Sequence, residues 1–353
     1  MKLRAVIFLI LWITILGCSK KRGVNTQLPS PERWIPQQSP TDNTLYGVNF
    51  IDLNNGWAVG EKGTILHTTD GGANWSHQTS NTTDDLKDVK FVNSQMGWVV
   101  GYHGLILLTT DGGTTWNLAN STGTDETLWG CSFSDSLRGW AVGEHGAVVH
   151  TANAGSLWVA QTNGVPDEWL RGVFAYDSLR VWVCGKEGVI LKTTDGGRSW
   201  VEKPSGTAMH LNRIIFPEDP DEGWTGGKWG EILHTTDGGE TWEREVEGGA
   251  DWHDGTVLEC LKGGVYFVDN LHGWGVGKWG RIVSTLDGGR FIHYDDKGRP
   301  TYGDYPGPGW VVEVDRGSPQ YDLWGVYAVK DLGQLCVWAV GADGRVLFSR
   351  VAQ

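Results

Sequence analysis

Apolar and polar residues alternate along this chain in short runs, and the runs return. Leu45-Tyr46-Gly47-Val48-Asn49-Phe50 alternates, and Gly56-Trp57-Ala58-Val59-Gly60 follows after a polar break. Thr64-Ile65-Leu66-His67-Thr68 and Trp75-Ser76-His77-Gln78 complete a set of four. Period-two alternation bounded by Gly, Asn and Asp predicts β-strands, here four in succession, A to D. The central phrase restarts at Trp98, Trp140, Trp182, Trp224, Trp274 and Trp338. The first five copies lie 41 or 42 residues apart, and the next two steps are 50 and 64. One such unit cannot bury its own faces. The repeat therefore predicts an all-β ring, a seven-bladed β-propeller of four-stranded blades.

The blades are expected at about 45–79, 86–120, 128–162, 170–204, 211–247, 264–315 and 323–350. Two insertions stand out, 248–261 between blades five and six and 291–309 inside blade six. Trp310-Val311-Val312-Glu313-Val314 is the delayed strand D of blade six. The turn between strands C and D opens on Asp70, Asp111, Asn153, Asp195, Asp237 and Asp287 in successive blades. An Asp or Asn there can accept backbone N–H groups two or three residues on and hold the turn, a structural role. Blade seven has strands A to C and then the chain ends. An open sheet edge is an aggregation template, so something must cover it. Arg33-Trp34-Ile35-Pro36-Gln37-Gln38 reads as an orphan strand D with Trp34 in the place of Trp75. It is predicted to pair with strand C of blade seven and close the ring. Pro36 is tolerated because strand D is an outer edge.

Thr68-Thr69-Asp70-Gly71-Gly72-Ala73-Asn74-Trp75 resembles the Asp-box (BNR) repeat of sialidase-type propellers. Joined to Gly-Trp-x-Val-Gly-x-x-Gly, as at Gly56 to Gly63, it resembles more closely the photosystem II assembly and stability factor family. The resemblance covers about residues 32–353. It implies a seven-bladed scaffold that binds a protein partner and carries out no chemistry. That family is described as presenting an Arg-rich patch, whereas Arg138, Arg171, Arg180, Arg198, Arg213 and Arg281 are scattered here. What carries over is scaffold and partner binding.

Residues 1–17 stand apart from the repeat. Lys2 and Arg4 precede an apolar stretch from Ala5 to Leu16, too short to span a bilayer, which reads as a signal peptide. Ile15-Leu16-Gly17-Cys18 resembles a bacterial lipobox, which makes Cys18 the expected lipidation site and membrane anchor. Residues 18–31 then form a polar tether to the propeller at 32–353. The propeller is expected in the cell envelope, periplasmic or extracellular, and monomeric. The net charge of −13 argues against nucleic acid as a partner of this surface. The remaining cysteines, Cys131, Cys184, Cys260 and Cys336, show no CxxC and no metal spacing. They read as small buried apolar residues, with a Cys260–Cys336 link left open. No metal and no cofactor are expected.

Loops sort by face in such a ring. The repeated C–D turns and the A–B turns share one face; the B–C tips and D–A links share the other. The tips vary: Glu61-Lys62, Tyr102-His103, Glu144-His145, Lys186-Glu187, Lys228-Trp229, Lys278-Trp279 and Ala342-Asp343. A fixed frame with varied tips suits recognition. The nominated partner face is Tyr102, His103, His145, Lys228, Trp229, Lys278 and Trp279, with Trp229 and Trp279 as aromatic anchors or sugar platforms. The second residue of strand A reads Tyr46, Lys87, Trp129, Arg171, Asn212, Gly263 and Trp324. Of these, Tyr46, Lys87, Trp129, Arg171 and Trp324 are expected to form an aromatic and basic channel mouth suited to a peptide or an acidic group. A glycan-binding or glycoside-hydrolase reading is the alternative. It needs paired carboxylates, for which Asp251, Asp254, Glu259 and Glu168 are the candidates.

Overall fold

Strand A of each blade lines the centre of a ring of seven antiparallel four-stranded sheets, and strand D lies outermost. The structure, a computed structural model, describes residues 34–119, 123–245, 261–286, 288, 310–314 and 321–351. In blade one the strands are Leu45–Phe50, Gly56–Gly60, Ile65–Thr68 and Ser76–Gln78. Six sheets take their strands in chain order. The seventh takes its outer strand from the other end of the chain: Ile35–Gln37 pairs antiparallel with Val346–Val351. Ile35 stands opposite Phe348, and Gln37 opposite Val346. The predicted closure is thus the observed one.

Neighbouring blades are held by aromatic stacking that the repeat delivers in register. The strand-B Trp of one blade lies flat on the Phe that ends strand A of the next. Trp57 stacks on Phe91 at 3.5 Å between centroids, Trp98 on Phe133 at 3.6 Å and Trp182 on Phe216 at 4.0 Å. Trp338 on Phe50, at 3.7 Å, closes the ring in the same way. The strand-D Trp meets that Phe edge-on, as Trp75 does Phe50 at 5.9 Å. All seven strand-B tryptophans are buried. Flat stacks flanked by an edge-on ring are the favoured arrangements of aromatic quadrupoles, each adding about 0.5–1.5 kcal/mol beyond burial. Blades four and seven have Ala175 and Ala328 where the others have Phe, so the joints between blades three and four and between six and seven lack this stack.

The C–D turns are wired to the same joints. Asp70 Oδ1 accepts Thr68 Oγ1–H at 2.8 Å and the Asn74 N–H at 2.8 Å, while Thr68 Oγ1 accepts the Gly72 N–H at 2.9 Å. Asp111, Asp195 and Asp237 repeat the pattern, and Asn153 reproduces the backbone part at Leu157. The side chain therefore reaches the fourth residue on, not the second or third; the threonine hydroxyl serves the nearer N–H. Asp287 lies outside the described residues. Carbonyls of these turns receive donors from the preceding blade: Trp57 Nε1 and Gln78 Nε2 both donate to Gly112 O. Trp338 Nε1 and Gln37 Nε2 donate to Gly71 O. Gln37 thus does for blade seven what Gln78 does for blade one, so the N-terminal segment is a complete strand D.

Two boundaries differ from expectation. Strands A and B of blade seven run on as a long hairpin, Leu323–Asp331 and Gln334–Gly341, because Leu332 and Gly333 both take positive φ and make a two-residue turn. Blade six begins at Leu261, not 264: Leu261 N–H donates to Gly227 O, as Leu323 N–H does to Gly277 O one blade later.

Candidate functional site

The channel mouth is built by a bulge repeated in strand A. Leu45 stands opposite Gly60 but Gly47 opposite Val59, so Tyr46 is left out of the ladder. The same shift frees Lys87, Trp129, Arg171, Asn212 and Trp324. An unpaired residue at a bulge turns its side chain out of the sheet, here into the channel. In blade six the freed residue is Lys262, not Gly263. Gly263 N–H donates to Val276 O in the place of Gly47, and Gly264 is an extra residue at φ 68°. That insertion shifts the apparent alternation by one, which is why the sequence pattern pointed one residue late.

These side chains surround a cavity of about 100 Å³. Its third-position floor is glycine in five blades, because the inner strands crowd together; a Cβ on Gly130 would lie 2.6 Å from Arg171 O. The two exceptions, Asp88 and Arg213, meet across the channel from blades two and five at 3.3 Å. Asp88 also accepts the Cys131 N–H at 3.1 Å. The mouth is thus a blind cup floored by an ion pair.

The rim alternates cations with rings. Lys87 Nζ sits 3.7 Å from the Tyr46 centroid, 4.2 Å from Tyr102 and 5.3 Å from Trp129. Arg171 lies 4.8 Å from Trp129, and Lys262 Nζ 4.2 Å from Trp324, which meets Tyr46 edge-on at 5.6 Å. Carboxylates answer these cations: Asp85 to Lys87 at 3.1 Å, and Asp322 to Lys262. Glu61 accepts the Tyr46 hydroxyl at 3.2 Å, and Glu144 the Trp129 indole N–H at 3.3 Å. Burial, with Asp85 and Glu61 alongside, raises the Tyr46 phenol well above its ordinary value. The aromatic and basic mouth read from the sequence thus has carboxylates beside Lys87 and Lys262, which makes it an amphipathic cup.

The tips surround this cup. His103 Nδ1 lies 3.4 Å from Asp84, and His145 Nδ1 2.9 Å from Glu126, which raises the His145 pKa through that hydrogen bond. Glu126, Glu144 and His145 are close enough to share a cation. Each is already engaged, with Glu144 on Trp129 and Glu126 on His145. Trp229 and Trp279 are 44% and 38% exposed, with Lys228 and Lys278 beside their rings. Of the acids nominated for glycoside chemistry, Glu168 lies in a D–A link, where its carbonyl accepts the Gly146 N–H. Asp251, Asp254 and Glu259 lie outside the described residues, as do Cys18 and Cys260. Cys131, Cys184 and Cys336 are buried. Sequence reasoning missed Asp88 and Arg213. Aligning the repeats exposes them as the two side chains breaking a column of glycine.

Seven four-stranded blades with Asp-box turns on one face define a BNR-type β-propeller. The chain belongs to the family described as photosynthesis system II assembly factor YCF48, whose model matches residues 27–117, 78–163 and 172–247. Among solved structures it is similar to YCF48 bound to a D1 peptide, with a TM-score of 0.65, 20% identity, and coverage of 92% of this chain and 97% of that one. It is also similar to YCF48 from Cyanidioschyzon merolae, with a TM-score of 0.65, 19% identity and coverage of 91% and 99%. An ancestral GH74 enzyme matches at a TM-score of 0.61 and 15% identity, covering 90% of this chain and 46% of that one. No curated protein matches the chain in sequence.

Proposed function

We propose that this chain is a non-catalytic assembly or docking factor that holds a protein partner on the face carrying the B–C tips. The observation that carries the reading is the cup: bulged strand positions present alternating cations and rings around a blind floor. Such a site grips one amphipathic side chain of a partner while the tips around it contact the rest. The family supports the reading, since a relative has been seen with a D1 peptide bound. The anchor is part of the proposal. Lipid on Cys18 would hold the propeller at the cell envelope. Trp34 occupies the strand-D entry position, on the Asp-box face. A tether of residues 18–31, at most about 50 Å when extended, would leave from that face and turn the cup away from the membrane.

The test is titration of the full chain with a D1 peptide and with peptides from envelope proteins, repeated on Trp129→Ala and Trp324→Ala. The expected result is saturable binding weakened at least about tenfold by either change. Binding that ignores both changes would overturn the cup as the site. The glycan-binding and hydrolase reading is tested alongside it with a glycan array and reducing-sugar release from polysaccharides. Turnover would replace the binding proposal.

A further inference from the structure

The tips of blades four, five and six share a feature that the other four lack. Each opens on a lysine packed against an indole. Lys186 Nζ lies 4.4 Å from the Trp169 centroid, Lys228 Nζ 5.9 Å from Trp229, and Lys278 Nζ 5.7 Å from Trp279. Among the described residues none of the three forms a salt bridge, in contrast to Lys87 and Lys262 of the cup. Their field reaches a neighbour: the His210 imidazole is held below its ordinary pKa by burial and by Lys228, Arg171 and Lys186. In a chain of net charge −13, three consecutive blades thus present ammonium groups that, among the described residues, make no salt bridge.

The side chains at these tips give a second observation. The second tip residue is left-handed in every blade, from φ 49° at His145 to φ 62° at Trp229. Asp343, in blade seven, fits that conformation well, because Asn, Asp and Gly tolerate it best. Tryptophan there is strained, yet it occurs in two adjacent blades, at φ 62° and φ 58°, with its ring exposed. The turn imposes the same conformation on Lys62, His103, His145 and Glu187; what sets blades five and six apart is the exposed indole carried there.

From this arc we infer a docking surface for an acidic partner: an extended protein segment bearing carboxylates lies across the tips of blades four to six. Its carboxylates pair with Lys186, Lys228 and Lys278, and its apolar groups lie on Trp229 and Trp279. This rests on the proposed partner-binding role of the tip face and names the partner's chemistry. Lysine lends a mobile point charge and tryptophan a rigid apolar plate, so the surface tolerates sequence variation in the partner but not loss of negative charge.

Fluorescence anisotropy of the full chain with a labelled peptide of Glu-Glu-Gly-Phe repeats tests it. The peptide is expected to bind, more weakly as salt rises, and a Lys-Lys-Gly-Phe peptide is not. Lys186→Glu, Lys228→Glu and Lys278→Glu together are expected to weaken binding at least about tenfold. Trp229→Asn with Trp279→Asn should weaken it several-fold while leaving the melting temperature unchanged or higher, since Asn relieves the strain. Trp129→Ala, in the cup, should leave this peptide's affinity within about twofold, which separates failure here from failure of the cup. Equal affinity in the lysine triple variant would overturn the proposal. So would tighter binding to phosphatidylglycerol vesicles than to the acidic peptide, which would make the arc a membrane surface instead.

Discussion

On one face of the ring, the second residue after the strand-C hydroxyl threonine is aspartate in blades one, two, four and five and asparagine in blade three. Each of the five accepts the backbone N–H four residues on. On the other face the two residues at the tips run from Glu-Lys through Tyr-His to Lys-Trp, although the backbone beneath them is as constant as that of the Asp boxes. Constant backbone with constant side chains marks a joint, where donors from the neighbouring blade must find the same carbonyl every time. Constant backbone with changing side chains marks a surface whose chemistry is free of the fold. The same protein therefore spends one face on closing its ring and offers the other.

The contrast can be broken at several strengths. Truncation to Ser39 is expected to have the largest effect. It removes Trp34, the Ile35–Gln37 ladder and the Gln37 clamp on blade one, and burial of a Trp alone is worth about 3–5 kcal/mol. Calorimetry should show a large drop in Tm and concentration-dependent aggregation from the bared edge. Phe91→Ala, which empties the stack under Trp57, should cost about 3–5 kcal/mol in urea unfolding. An unchanged midpoint would show that the joints do not depend on their stacks.

Smaller steps follow. Asp237→Ala removes one turn's anchor and should cost on the order of 1 kcal/mol or less, because the carboxylate is exposed to water. The acid limb reads the same groups. The Ser199 hydroxyl and N–H lower the Asp195 pKa to about 2; at Asp237 burial opposes the shift, but the Thr241 hydroxyl and N–H outweigh it, again to about 2. A depressed carboxylate contributes stability that is complete above its unfolded value, about 4, and is lost as pH falls toward 2. Stability should therefore decline across that window, and less steeply in Asp237→Asn. Trp229→Asn with Trp279→Asn marks the smallest effect on unfolding, with a several-fold loss of acidic-peptide binding. Any substantial loss of Tm there would erase the distinction between the faces.

Much of this was legible beforehand because the repeat is written in residues that cannot serve elsewhere. Trp57 and its six counterparts, the Thr-x-Asp-Gly-Gly turns and the orphan Trp34 report the ring from spacing alone. The cup was legible in part. Position two of strand A was identifiable, but the extra Gly264 concealed Lys262. The carboxylates beside the mouth were not legible, because Asp85, Glu61 and Asp322 come from D–A links and tips rather than from strand A. Asp88 and Arg213 are 125 positions apart, and nothing local announces that they touch.

Taken alone, the amino-acid order determined the number of blades, the strand that closes them and the face on which variation gathers. Those follow from local alternation and from turns whose φ only certain residues accept. Tertiary structure decided what surrounds the centre of the ring: carboxylates beside Lys87 and Lys262, and an Asp88–Arg213 ion pair at the floor. The reason is physical. Backbone conformation is set within a few residues, whereas the charge a side chain carries into a site depends on which distant carboxylates the closed ring brings within a few ångströms of it.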